Sequence, residues 1–323
     1  MKTNAFLTLF LITNLAFAAP SNALTISPYV DVTLDTHWSQ ESQSIEPMDY
    51  KKIAVDNHIK ELHLAFIVDS ASCAPAWGGL ADYSLATTWG KNLTDGMAKE
   101  HIDITVAFGG ALGNDLSMNC SSKSLEDIFK DTVDNYHAKK LDFDIENGTT
   151  NVPKLIESLK NFQKDHQDIK LSFTLPTLPD GLTPSGEDVL RQAVQAGIVF
   201  NVNIMAMDYG PAYTEDMAIS AIKAGQSLHS FLKKLYPEKN DRDCWQLIEI
   251  TPMIGVNDSN PEQFTLQNAK TLSVFARQQH LGGLAMWSLN RDKPCSNGWA
   301  SFNCSGNNLQ THDYEFVHAL MGE

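Results

Sequence analysis

Positive charge, long apolar runs and paired metal ligands are all scarce in this sequence. Against 39 acidic residues stand 24 lysines and arginines, a formal net charge of −15. That balance argues against a nucleic-acid partner, because phosphate backbones select basic faces. It leaves a neutral partner open. Beyond the N-terminus no apolar stretch approaches the roughly 20 residues that span a bilayer, so no membrane partner is expected. There is no Cys-x-x-Cys and no His-x-x-x-His spacing, and with them goes the case for a structural zinc site. No linker rich in Gly, Ser or Pro divides the chain, and no repeat of about 20–50 residues is visible. One continuous domain is the reading that remains.

What is present begins with Lys2, an apolar stretch from Ala5 to Leu15, and Ala16-Phe17-Ala18 before Ala19. A basic start, a short apolar core and a small-x-small site describe a secretory signal peptide. We expect residues 1–18 to be removed, leaving 19–323 as a secreted protein, extracellular or periplasmic. Five cysteines then suggest two disulfides and one spare thiol. Cys295 and Cys304 flank a short polar loop. Cys73 and Cys120 each fall just beyond a predicted strand end on neighbouring connections. Cys244 is left over.

The most informative run is Leu141-Asp142-Phe143-Asp144-Ile145-Glu146. On a strand, alternate side chains point to opposite faces. Leu141, Phe143 and Ile145 then enter one apolar layer, and Asp142, Asp144 and Glu146 line the other face. Three carboxyl groups so close cannot all ionise cheaply, so at least one is expected to hold its proton near neutrality. A protonated carboxyl beside an ionised one is what general acid catalysis requires.

Around this run, apolar β-branched segments alternate with helical patterns. Eight strands are predicted: 26–34, 62–68, 102–108, 140–146, 169–175, 201–207, 247–254 and 283–289. Between them, Ser124-Leu125-Glu126-Asp127 looks like a capped helix start, Pro153 opens a helix with Leu155, Ile156, Leu159 and Phe162 on one face, and Gly197 stops another. Eight uninterrupted strand–helix units predict an α/β fold, a (β/α)8 TIM barrel. A doubly wound sheet is disfavoured because no Gly-rich phosphate loop follows the first strand. Glu146 then sits at a strand's carboxyl end, where barrels carry their chemistry.

At this point the sequence resembles the family 18 glycoside hydrolases, the chitinases and their relatives. Asp142-x-Asp144-x-Glu146 looks like that family's fourth-strand signature. Ala107-Phe108-Gly109-Gly110 is similar to its Ser-x-Gly-Gly motif, Met207-Asp208-Tyr209 to its Met-x-Tyr motif, and Met286-Trp287-Ser288 holds its sugar-facing tryptophan. Thr174-Leu175-Pro176, Asn203-Ile204-Met205 and Thr251-Pro252-Met253-Ile254-Gly255 resemble a bacterial single-domain branch. The likeness covers roughly residues 26–320. It implies a hydrolase of chitin or another N-acetylglucosamine oligosaccharide, acting as a monomer without cofactor or metal. Glu146 is implied as acid, with its pKa raised by Asp144. Asp144 would accept the substrate's acetamido N–H, Asp142 would share its proton, and Tyr209 would donate to the acetamido oxygen. Trp287, Met207, Gly109, Gly110, Trp77 and Asn257 are the expected substrate-binding residues. Ordinary packing accounts equally for Trp77, and a tight turn for the two glycines.

Three departures bear on function. Lys139-Lys140 stands where the family often has Asp-Gly, at the strand base, so altered packing is expected there. Gly210 replaces a common Asp, so a sugar contact is lost or supplied by Asp208 or Asn257. Ala107 replaces Ser, removing a hydroxyl near Asp142. The competing readings are an endo-β-N-acetylglucosaminidase acting on N-glycans, a silent chitin-binding lectin, and a barrel metalloenzyme. Retention of Glu146 counts against the lectin. The metalloenzyme needs further ligands at strand ends, where only Asp69 and Asp208 offer themselves.

Overall fold

The computed structural model describes residues 24–307 and 309–323, so the expected signal peptide lies outside the described residues. The sheet is a closed parallel barrel of eight strands. They are β1 (Thr25–Ile26 and Tyr29–Asp31), β2 (Glu61–Asp69), β3 (Asp103–Gly109), β4 (Lys140–Asp144), β5 (Lys170–Leu178), β6 (Asn201–Met205), β7 (Ile248–Thr251) and β8 (Gly283–Leu284). The expected α/β barrel is therefore the fold.

Closure depends on β1, which is not the single run expected from the sequence. Thr25–Ile26 pairs with Gly283–Leu284 of β8, and Tyr29–Asp31 pairs with His63–Ala65 of β2. The break falls at Ser27-Pro28. Proline has no N–H to give a ladder, but the Pro28 carbonyl still accepts from the His63 amide at 2.9 Å. One strand thereby seals both neighbours.

Elsewhere the predicted strands exist, but their ends differ: β2, β3 and β5 run past the predicted ends, while β4, β6, β7 and β8 stop short of them. β4 stops at Asp144 rather than Glu146, with the Ile145 amide making one last bond to the Thr174 carbonyl at 3.0 Å. β6 stops at Met205 and β8 at Leu284, and beyond β8 the pairing goes on through single backbone bonds, such as Tyr29 N–H to the Met286 carbonyl at 3.1 Å, and a bridge between Met253 and Trp287. The apolar pattern extends past the ladder because mouth residues are still covered by loops.

The outer face of β4 packs as its alternation implies. Phe143 stacks on Phe108 at 5.5 Å between ring centroids and meets Phe129, from the helix Ser122–Tyr136, edge-on at 5.3 Å. That helix starts earlier than expected, because Ser121 rather than Ser124 caps it, accepting from the Ser124 amide. The helix Val152–Asp165 buries Leu155, Ile156, Leu159 and Phe162, and the helix Pro184–Ala196 ends at Gly197 with φ +79°. Both expected disulfides form, Cys73–Cys120 and Cys295–Cys304, and Cys244 is buried and free. Among the described residues no helix is long and apolar enough to cross a membrane.

Candidate active site

The inner face of β4 carries the acidic run toward the barrel mouth. Register places Asp142 beside Ala107 on β3 and Ser172 on β5, and Asp144 beside Gly109 and Thr174. Asp142 is fully buried and saturated with donors. Ser172 Oγ donates to it at 2.5 Å, Thr174 Oγ1 at 2.8 Å and the Tyr29 hydroxyl at 2.8 Å. Behind them, the Asn203 amide donates to both Tyr29 (3.0 Å) and Thr174 (3.1 Å), while accepting from Thr251 at 2.8 Å. The hydroxyl expected to be missing because of Ala107 is thus replaced from β5 and β1. Burial pushes the Asp142 pKa up, and Lys140 and the hydroxyl donors restrain the rise.

Asp144 has the opposite environment. It is buried, and its Oδ1 has no hydrogen-bond partner. Burial, then the charge of Glu146, then that of Asp142 raise its pKa well above the ordinary value. Both acids thus have raised pKa values, Asp144 the more strongly, and the acidic run titrates together rather than as independent groups. Glu146 lies just past the strand, exposed at the mouth. Its pKa is also raised, first by desolvation and then by the Asp208 carboxylate. The Asp208 carboxylate thus adds to the mutual repulsion between Asp144 and Glu146 expected from the sequence.

These groups open into a cavity of about 260 Å³ at the carboxyl ends of the strands, lined among others by Asp144, Glu146, Met207, Asp208, Asp258 and Trp287. Tyr29, Phe66, Thr174 and Met205 also face it. Trp287 stacks on Phe66 with centroids 5.6 Å apart, forming an aromatic wall. A cavity of about 480 Å³ at the other end of the barrel surrounds the ion pair of Lys140 with Glu249, at 2.6 Å. There Lys140 and Glu249 satisfy each other, whereas the acidic run faces the mouth.

Several expected binding residues lie elsewhere. Trp77 is buried and meets Tyr136 edge-on at 5.6 Å, so it packs on a helix rather than extending the mouth. A Cβ on Gly109 would stand 2.1 Å from the Asp144 carbonyl oxygen, and one on Gly110 would stand 3.0 Å from the Phe66 ring. Both glycines make room for protein, not substrate. Asn257 is buried and donates to the Met253 and Gly255 carbonyls at 2.8 and 3.1 Å, bracing the loop that carries Asp258. Tyr209 is not among the lining residues. Its hydroxyl is buried without a partner, and its amide donates to Glu262 at 3.1 Å. Asp69 is tied into its own loop by the Cys73 and Ala74 amides and by Asn119, which leaves the metal reading without a second strand-end ligand there.

Tyr29, Ser172, Thr174, Asn203 and Thr251 were not read as site residues from chemistry. A signal was present for most of them: Leu171-Ser172-Phe173-Thr174-Leu175 and Val202-Asn203-Ile204 place polar residues at period-two positions inside apolar strands. Such residues need partners, and here the partner is Asp142.

No protein-family model matches the chain. It is 34% identical over 293 residues to the probable bifunctional chitinase/lysozyme of Escherichia coli (strain K12), covering 83% of this chain and 31% of that protein. It is 35% identical over 295 residues to endochitinase 11 of Metarhizium anisopliae, covering 84% and 53%. The chain thus spans about a third and about half of the lengths of these curated relatives. The catalytic domain of a hyperthermophilic chitinase from Pyrococcus furiosus superposes with a TM-score of 0.80 at 33% identity, covering 92% of this chain and 93% of that one. Active domain 2 of the thermostable chitinase from the same organism, solved with chito-oligosaccharides, gives 0.81 at 33% identity, covering 93% and 95%. A family 18 chitinase domain from the fern Peteris ryukyuensis, at 14% identity and a TM-score of 0.53, shares the fold. With an acidic run along the fourth strand and just past its end, and a third of its residues shared across nearly the whole of a chitinase catalytic domain, the chain belongs to the chitinase family, the family 18 glycoside hydrolases.

Proposed function

We propose that this protein is a secreted chitinase that cleaves β-1,4 bonds between N-acetylglucosamine units with retention of configuration, using the substrate's own acetamido group as nucleophile. The observation that carries this reading is the unpartnered, buried Oδ1 of Asp144, set between a fully satisfied Asp142 and a mouth-facing Glu146. An orphaned buried acceptor costs stability unless something else fills it. The buried Tyr209 hydroxyl is orphaned too. An acetamido group offers the partner that Asp144, which lines the cavity, lacks: an N–H.

Glu146, its pKa raised by desolvation and by Asp208, gives its proton to the leaving glycosidic oxygen. The acetamido oxygen attacks the anomeric carbon as that bond breaks, and a cyclic oxazolinium forms. Positive charge grows on the acetamido nitrogen, and Asp144 stabilises it by settling its proton with Asp142 as one coupled pair. Glu146 then takes a proton from the incoming water, which opens the ring with net retention. Trp287 and Phe66 offer an aromatic surface to the apolar face of the sugar. The two disulfides fit a protein that works outside the reducing cytoplasm.

The test sets chitin oligomers and a high-mannose glycopeptide side by side, with product anomers followed by proton NMR. The expected result is cleavage of the oligomers, a first-formed β-anomer, and no cutting between two deacetylated sugars. Glu146→Gln should lower turnover by at least about 10²-fold, the low end of what one general acid contributes. Cleavage confined to the glycopeptide, or an inverted product, would overturn the reading.

A further inference from the structure

A second cavity, of about 570 Å³, lies against the catalytic one, and Asp258 lines both. Its walls are the loops that follow β7 and β8, so it opens at the same carboxyl-terminal end of the barrel. One wall carries Trp299, whose side chain is 66% exposed. Asn260 and Gln263 line the same cavity. An indole held in water beside carboxamides and a carboxylate suits a ligand with an apolar face and a polar rim.

The frame around Trp299 is rigid. The Cys295–Cys304 disulfide closes the loop that bears it. Arg291, buried to 2% exposure, donates to the Ser301 carbonyl of this loop and to the Ile254 (2.9 Å) and Val256 (2.7 Å) carbonyls of the facing loop. The Val256 amide in turn donates to the Ser305 carbonyl at 2.7 Å. A guanidinium, a disulfide and a backbone bond thus clasp the two walls, and Trp299 loses little freedom when something stacks on it.

We propose that this cavity is an outlying sugar subsite, with Trp299 as its platform, that takes N-acetylglucosamine units of the same polymer beyond those held over Asp144. The proposal rests on the chitinase reading. Continuity through Asp258 identifies the occupant, because the residue that lines the catalytic cavity also lines the one that holds the indole.

The test measures kcat/KM for the full enzyme, disulfides intact, on N-acetylglucosamine trimer and hexamer. Trp299→Ala should lower the hexamer-to-trimer ratio by about tenfold, the scale of one aromatic stacking contact. Trp299→Phe should restore most of that ratio, and the paired change Cys295→Ser with Cys304→Ser should lower it in the same direction. A ratio within twofold of the parent's in Trp299→Ala, or an equal loss at both lengths, would overturn the subsite while leaving the chitinase reading intact. A parent enzyme that cleaves neither oligomer would remove both.

Discussion

At the scale of single residues, the middle acid sets a cost that function explains. Burial first, then Glu146 and Asp142, raise the Asp144 pKa well above the ordinary carboxylate range near about 4. Between that value and the raised one, the native chain binds more protons than the unfolded chain. Stability therefore falls as pH rises through the window. Asn carries no charge at any pH, so Asp144→Asn should melt close to the wild type near pH 4 and progressively above it toward pH 8. Thermal unfolding at both pH values checks this; a stability difference that does not change with pH would count against a protonated Asp144. The same variant should lose on the order of 10²–10³-fold in kcat, the scale of one transition-state partner. Stability gained where activity is lost is the usual mark of a site built for chemistry.

At the scale of elements, β4 links the two ends of the barrel. Its first residue, Lys140, is buried and bonds both oxygens of Glu249 on β7, at 2.8 and 2.6 Å, while its later residues carry the acids. Removing one partner of a buried pair strands the other charge, which typically costs about 3–5 kcal/mol. Lys140→Met should show that loss in urea unfolding, and the paired change Lys140→Met with Glu249→Leu should recover most of it. No recovery in the pair would mean that Lys140 acts through contacts other than Glu249. The sequence placed Lys140 at the strand base and foresaw altered packing there, but its partner on β7 lies more than a hundred residues away and leaves no local trace. The same limit explains the rest of the site. The period-two alternation of β4 and the strand-end position of Glu146 were legible because they are local. Trp77 and the glycines misled because an aromatic or a glycine near a strand end reads alike whether it faces a ligand, a helix or a neighbouring carbonyl. Tyr29 was invisible because its role is fixed by barrel closure, not by its neighbours in sequence.

At the scale of the whole molecule, two covalent closures hold the mouth loops. Cys73–Cys120 closes 47 residues and Cys295–Cys304 closes nine. Chain entropy assigns about 4 kcal/mol to the longer loop and about 2.6 kcal/mol to the shorter. Replacing the first pair by serines should therefore lower the melting temperature more than replacing the second. The reverse order would show that native contacts of the shorter loop outweigh the constraint on the unfolded chain.

The divided first strand has a consequence for how the protein comes to be active. Thr25–Ile26 finds its partner only in Gly283–Leu284, and Tyr29, three residues on, supplies one of the hydroxyls that fix Asp142. A chain emerging from synthesis or export holds its entire acidic run long before it holds the segment that seals the barrel. Until that late segment docks, the half-strand bearing Tyr29 is held by β2 on one side only, and the barrel around Asp142 is still open. Assembly of the site is thus coupled to the completeness of the fold, and a prematurely terminated chain would carry all three acids without the closed barrel that surrounds them.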